Sequence, residues 1–306
     1  MKITNKMNLP QPFVEACKRD DHPRFGMDTF SATELLKGTK EILLVRRHWS
    51  ELEVDAADMV WLVFGKAVHS VFEGNEGEYD IAEGRAEVEV DIDGEKVKVS
   101  GAWDLYESLK RRLNDYKTTG VYSYIMHSNG SNDDWRDQLR VYWYILNTLG
   151  FPVDEALVTV ILKDWSKMKA RMDRSYPQAP VQTITYKYTL PDDLIEVKQV
   201  LGAKIREVKS FQNVPDDLIP PCSKEERWER DEKWAVMKKN RKSAVRLCNS
   251  NEEAEFLLEG LSSDHYIQHR PGTPTKCIDY CSVCDHCSFY REYMAKLNTK
   301  EETVNE

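Results

Sequence analysis

The sequence predicts a mixed α/β protein, a sheet packed by helices, and three features carry that expectation. Period-two alternation in "AEVEVDI" (Ala86–Ile92) and "EKVKVSGAWDLY" (Glu95–Tyr106) brackets Asp93-Gly94, a strong short hairpin signal. Helical periodicity follows from about Asp134 to Leu149, with Gly150 closing the C-terminus. "ALVTVIL" (Ala156–Leu162) and "VQTITYKYTL" (Val181–Leu190) add two strands before a long helix from about Asp192 to Ser210.

The remaining elements follow in order. Up to about Gly26 the chain has few apolar residues and three prolines, so residues 1–27 read as an N-terminal arm. In "FSATELL", Ser31 and Glu34 form a capping box at the start of a helix. A second helix spans roughly Asp55 to Glu73 and stops at Gly74. A turn over Glu107–Lys110 leads into a third hairpin strand, "RRLNDYK" (Arg111–Lys117). These elements fill a core over residues 28–212. A helical, cysteine-rich segment packing on that core covers 213–298, and a polar, frayed tail covers 299–306. No internal repeat or low-complexity tract interrupts them.

At 306 residues the chain has room for one large domain or two modest ones, and 31% charged residues imply a wet, soluble surface. The net charge of −9 argues against a nonspecific nucleic-acid coat protein, but not against an enzyme with a local basic field. Two basic runs, "KKNRKSAVR" (Lys238–Arg246) and "KDWSKMKARMDR" (Lys163–Arg174), read as solvated helix faces, with phosphate contact as the alternative. "MVWLVFGKAV" (Met59–Val68), the longest apolar-rich stretch, is too short to span a bilayer, and no secretory signal is visible at the N-terminus. The expectation is a cytoplasmic protein without a membrane partner. Seven cysteines in a reducing compartment rarely mean disulfides, yet four crowd into "CIDYCSVCDHC" (Cys277–Cys287).

The hairpin registers decide where the acids point. A two-residue turn sets Ile92 opposite Glu95, and a four-residue turn sets Tyr106 opposite Arg111. Glu87 then opposes Ser100, Asp104 opposes Leu113, and Asp115 opposes Ala102. Glu87, Asp104, Asp115 and Lys117 project from one face. Val88, Val90, Ile92, Val97, Val99, Trp103 and Leu105 form the other, with Gly101 leaving room for Tyr116. A solvated charged face would look similar, and Glu89 with Lys98 or Asp91 with Lys96 are the ion pairs it expects. Clustered carboxylates, however, repel one another unless a cation sits among them. Hard oxygen donors suit Mg²⁺ or Mn²⁺, and a lysine beside such an ion can assist a water, as phosphodiester hydrolysis requires. Two helical pairs add to this: Gln138 with Tyr142 in "QLRVY", and Gly65 with His69 in "GKAVH", each at i, i+4.

The order "GKAVH", "GAWD", "DYKTT", "QLRVY" over Gly65–Tyr142 resembles the RecB-type branch of the PD-(D/E)XK nuclease superfamily. That resemblance implies a restriction-endonuclease-like mixed central sheet flanked by helices, and metal-dependent DNA cleavage. Carried over by residue, His69, Asp104 and Asp115 look like metal ligands, with the Tyr116 carbonyl a further one. Lys117 looks like the catalytic lysine, and Gln138 and Tyr142 like residues that position it and the scissile phosphate. Glu87 resembles an acid of the preceding strand, with Glu89 competing for that role. The function implied is an exonuclease of recombination, repair or replication, acting on single-stranded DNA or duplex ends. A noncatalytic DNA-binding or scaffold subunit and an RNA-directed nuclease are its rivals. G-x-x-x-x-G-K-[ST] is absent, so a helicase or recombination partner would be another chain.

Several such nucleases carry a [4Fe–4S] cluster on one upstream and three C-terminal cysteines, the last two spaced C-x5-C. Cys281 and Cys287 have that spacing and Cys277 precedes them. "SATELLKGTKEILL", where the upstream ligand is expected, has no cysteine, and Cys222 is its substitute. The stretch from Cys222 to Arg246 also resembles a segment of phage-encoded nucleases, which would place the protein in a host cytoplasm. A local set that includes Cys284, or structural zinc using His265, His269 and two cysteines, remains the alternative. Cys17 and Cys248 read as ordinary residues.

Overall fold

The structure, a computed structural model, describes residues 1–18 and 26–304, with side chains described as far as 297. Two compact units divide it, Met1–Val214 and Pro215–Glu306.

In the first unit, β1 (Lys2–Thr4), α1 (Gln11–Cys17), β2 (Thr29–Ser31), α2 (Ala32–Leu35), α3 (Thr39–His48) and β3 (Glu53–Asp55) come first. The segment read as an arm is therefore partly ordered structure, and its residues 19–25 lie outside the described ones. β1 pairs in parallel with β3, while Leu9, Phe13, Val14 and Cys17, at helical spacing, pack with Ala56 and Met59 into a small core. Ser31 caps α2 with the reciprocal bond to Glu34 that the capping box demands. α3 was not anticipated; Gly38 breaks the helical pattern, and the face beyond it is almost wholly buried.

α4 (Val60–Phe72) follows a 3₁₀ turn at Ala56–Met59, and Gly74 (φ +82°) lies just beyond it. β4 (Asp80–Ile92) and β5 (Glu95–Glu107) form the hairpin, with Asp93 and Gly94 both at positive φ. Then come β6 (Arg112–Thr119), α5 (Val121–Ser128), α6 (Asp134–Thr148), β7 (Glu155–Leu162), α7 (Lys167–Met172), β8 (Val181–Lys187) and α8 (Asp192–Ser210). β4 pairs with β5, and the rest of the sheet runs β2-β5-β6-β7-β8. The β2–β5 and β6–β7 pairs are parallel and the others antiparallel, so this is a mixed central sheet flanked by helices.

The first hairpin register is as expected, with Ile92 opposite Glu95 and Glu87 opposite Ser100. The second differs. Glu107 opposes Arg112 and Leu105 opposes Asn114, because a 3₁₀ turn at Ser108–Lys110 and left-handed Arg111 (φ +51°) shift the loop by one residue. The strands therefore slip by two residues, an even number, so every side chain of the paired stretch keeps its face. Leu113 thus opposes Tyr106 instead of Asp104, and the ladder ends at Leu105–Asn114.

β5 shares its second edge between β2, at Lys98–Ser100, and β6, at Leu105–Glu107. Residues 101–104 between them have no ladder partner on that edge. α6 crosses there: a Cβ on Gly101 would stand 2.7 Å from Tyr142 Cδ1 and 2.9 Å from Ile145 Cδ1. Gly101 thus makes room for Tyr142 rather than for Tyr116. Across β6, α4 lies on the side of Tyr116 and Thr118, with Phe72 4.7 Å from the Tyr116 ring and the Gly65 Cβ position 3.7 Å from Thr118.

The second unit, expected to be helical, carries five short strands beside its helices. β9 (Glu229–Arg230), β10 (Lys233–Lys238), β11 (Arg246–Cys248), α9 (Asn251–Glu259), β12 (His265–Arg270), β13 (Thr273–Pro274), α10 (Thr275–Asp279) and α11 (Ser288–Val304) compose it. β11-β10-β12 form an antiparallel sheet under α9, with Val236, Cys248 and Ala254 at its centre. The basic run Lys238–Arg246 is the loop of this sheet, not a helix face. Residues 299–304 of the expected tail continue α11, and 305–306 lie outside the described residues. No helix among the described residues is long and apolar enough to cross a membrane.

Candidate active site

Where β5 and β6 part, the ladder is completed by a side chain. Asp104 Oδ2 accepts a hydrogen bond from the Tyr116 amide at 2.6 Å, doing the work of a β5 carbonyl. Its other oxygen, Oδ1, lies 3.3 Å from His69 Nδ1, carried by α4. Glu83 Oε1 approaches the same His69 nitrogen to 3.8 Å. One donor atom from each of His69, Glu83 and Asp104 falls within 4.8 Å of the other two.

On the α6 side of β6, Lys117 Nζ stands 2.8 Å from Asp115 Oδ2 and donates to Gln138 Oε1 at 3.1 Å. Gln138 Nε2 in turn donates to the Tyr142 hydroxyl at 2.7 Å, the i, i+4 relation the sequence offered. Asp115 is only 3% exposed, and its Oδ2 has the ammonium as an ion-pair partner without the angle of a hydrogen bond.

Charge and burial conflict at this cluster. Burial raises the Asp115 pKa; the Lys117 ammonium pulls it back, while the Asp104 charge adds to the rise. Burial, then Asp104, also raises the Glu83 pKa. The bond to Asp104 raises that of His69, and burial raises the Tyr142 phenol. Two carboxyls held toward their protonated forms beside a third are relieved by a cation placed among them. Imidazole nitrogen with carboxylate oxygens fits Mn²⁺ or Mg²⁺ and is a poor set for a soft ion.

Glu87 is not in this cluster. It faces Ser100 and is ion-paired with Lys98 at 2.7 Å, and Glu89 pairs with Lys96 at 3.0 Å, so both belong to the solvated part of the hairpin. Their lysines are exchanged relative to the expected Glu89–Lys98 pairing. Glu83 stands in the position proposed for Glu87. Continued through this point, the β4–β5 register sets Glu83 opposite Asp104, and left-handed φ of +47° turns its carboxylate toward His69. Strict alternation begins only at Ala86, so the acid was hidden by the irregular "IAEG" start of β4; extending the hairpin register backward would have found it.

In the second unit, Cys222, Cys277, Cys281, Cys284 and Cys287 are all half-buried, and Cys17 and Cys248 are buried. Burial, then the neighbouring Cys222 and Cys287, push the Cys277 thiol up to about 11. Cys222 and Cys287 thus each lie near Cys277 despite their distance in sequence. Cys284 Sγ meets the Asp285 carboxylate at 3.9 Å, and burial, Asp285 and the nearby Cys287 raise its pKa. His269 is engaged by Glu232 at 3.0 Å, and His265 contacts Ser262 and Asp264.

No family model and no curated protein matches the chain. Similar solved structures include that of SSO0001, with 15% identity, a TM-score of 0.43, and coverage of 67% of this chain and 84% of the other. A phage-related exonuclease from Haemophilus somnus 129PT aligns with 11% identity, a TM-score of 0.36, and coverage of 60% of this chain and 96% of that one. At these scores neither likeness bears on what this chain does.

Proposed function

We propose that the chain is a divalent-metal-dependent DNA nuclease of the RecB-type PD-(D/E)XK kind, with a restriction-endonuclease-like core, acting as an exonuclease in recombination, repair or replication. The observation that carries this reading is the convergence of His69, Glu83 and Asp104 beside an Asp115–Lys117–Gln138–Tyr142 chain. These groups come from α4, β4, β5, β6 and α6, far apart in the chain. The motif order from Gly65 to Tyr142 supports it independently.

His69, Glu83, Asp104 and Asp115 would hold Mg²⁺ or Mn²⁺, with the Tyr116 carbonyl as a further donor. When bound, such an ion supplies positive charge to the phosphodiester and lowers the pKa of water. Asp104 orients His69 and, through its bond to the Tyr116 amide, fixes the separation of β5 from β6. Lys117 is steered by Asp115 and Gln138, which leaves an N–H of Nζ free to hold the attacking water or a phosphoryl oxygen as negative charge develops. Tyr142, buried and unionised, anchors Gln138.

Cys222 and Cys287, each near Cys277, support a [4Fe–4S] site completed by Cys281, tying the ends of the second unit together. Cys284 is left over.

The test is digestion of end-labelled linear and circular DNA, single- and double-stranded, with parallel RNA, in Mn²⁺, Mg²⁺ or EDTA. Metal-dependent loss of linear DNA that vanishes in Lys117→Met supports the reading; intact DNA under every condition overturns it.

A further inference from the structure

We propose that single-stranded substrate crosses the N-terminal turns of α4, one base stacking on Trp61 while Lys163 and α7 hold the adjoining phosphates. This inference rests on the nuclease reading and names the strand form that its site receives.

Trp61 is 58% exposed at the start of α4, and Phe64 meets it edge-on at 6.4 Å between ring centres. Lys163 Nζ sits 3.6 Å from the Trp61 ring centre. The stretch Lys163–Arg174 that follows carries five basic and two acidic residues in a chain of net charge −9. Both acids are spent locally: Asp164 accepts from the Val121 amide at 2.7 Å, and Asp173 binds Ser175. Among the described residues, Lys163, Lys167, Arg171 and Arg174 have no carboxylate partner. Cations without carboxylate partners beside an exposed indole, one face of which the Lys163 ammonium covers, suit a polyanion with a base to stack on the other face.

The patch is also continuous with the site. Along β6, Phe72 lies on Tyr116, Gly65 lies over Thr118, and Lys163 donates its amide to Thr119 at 2.9 Å. α4 therefore runs back along β6, with Trp61 beyond the strand's end. His69 is eight residues further along the helix, about 12 Å at helical rise. A duplex keeps its bases stacked on one another, so only an unpaired base can take the ring.

The test is fluorescence anisotropy of labelled oligo-dT and of a hairpin duplex in EDTA, where no cleavage occurs, with DNA digestion in Mn²⁺ scored separately. Trp61→Ala is expected to weaken oligo-dT binding about 5- to 100-fold, while Trp61→Phe recovers most of it. Lys163→Ala is expected to lower the salt slope by about 0.7. Duplex affinity should hardly change, and Phe256→Ala, on the exposed face of α9, should bind like wild type. Equal oligo-dT affinity in Trp61→Ala, no binding by the wild type, or a change only in self-association would each overturn the proposal. Trp61-dependent binding without any cleavage would instead remove the nuclease reading and leave the platform.

Discussion

Gly101→Ala should damage stability and activity by different routes. The added Cβ would meet Tyr142 Cδ1 at 2.7 Å and Ile145 Cδ1 at 2.9 Å. Ordinary carbon–carbon contact is about 3.5–4.0 Å, so α6 must retreat by about 1 Å. Tyr142 is 3% exposed and Ile145 fully buried, so neither can swing outward. Overpacking of this kind costs about 1–3 kcal/mol. For a unit of this size that is a melting-temperature loss of about 2–12 °C by calorimetry. The same displacement carries Gln138 away from Lys117, and a shift of about 1 Å can cost up to about 100-fold in turnover. Adding Ile145→Val deletes the Cδ1 contact and should restore part of the stability while leaving turnover low, because the Tyr142 contact persists. An unchanged melting temperature in Gly101→Ala would refute the placement of α6 over β5, and with it the steering of Lys117.

Further outcomes follow from the same geometry. Glu83→Gln should cut metal-dependent cleavage at least about 10-fold, whereas Glu87→Gln, losing only a solvent-screened surface pair with Lys98, should cleave normally. His127 is buried, stacks on Trp135 at 3.6 Å, and has its pKa lowered by burial. As pH falls below the unfolded value of about 6.5, the unfolded chain takes up a proton that the folded one resists, so stability drops. Urea melts at pH 7.5 and 5.5 should show a smaller acid loss in His127→Phe than in wild type. In anaerobic preparations, Cys222→Ser or Cys287→Ser should lose brown colour and iron, and Cys284→Ser should keep both; colourless wild type with stoichiometric zinc would overturn the cluster.

Most of the central sheet was legible because its signals are local. Alternation, Asp93-Gly94 and the Gly150 stop each act within a few residues. The error in the second turn was even, so the paired residues kept their expected faces, but beyond them Asp104 fills the gap in the ladder and meets His69 of α4 while Lys117 turns to Gln138 of α6. Glu83 was missed because its approach to His69 depends on a left-handed residue in an irregular strand start. α3 and the strands of the second unit were missed for another reason. Gly38 splits one helical pattern, and β10 and β12 are short strands among charged residues, organised by packing under α9 that periodicity does not record.

Isothermal titration of Mn²⁺ into the metal-stripped protein reaches most directly the question of whether these side chains form one site. One ion per chain should bind to the wild type and to Glu87→Gln, with affinity lost at least about 10-fold in Asp104→Asn and in Glu83→Gln. Equal binding by all four proteins, or none by the wild type, would contradict it.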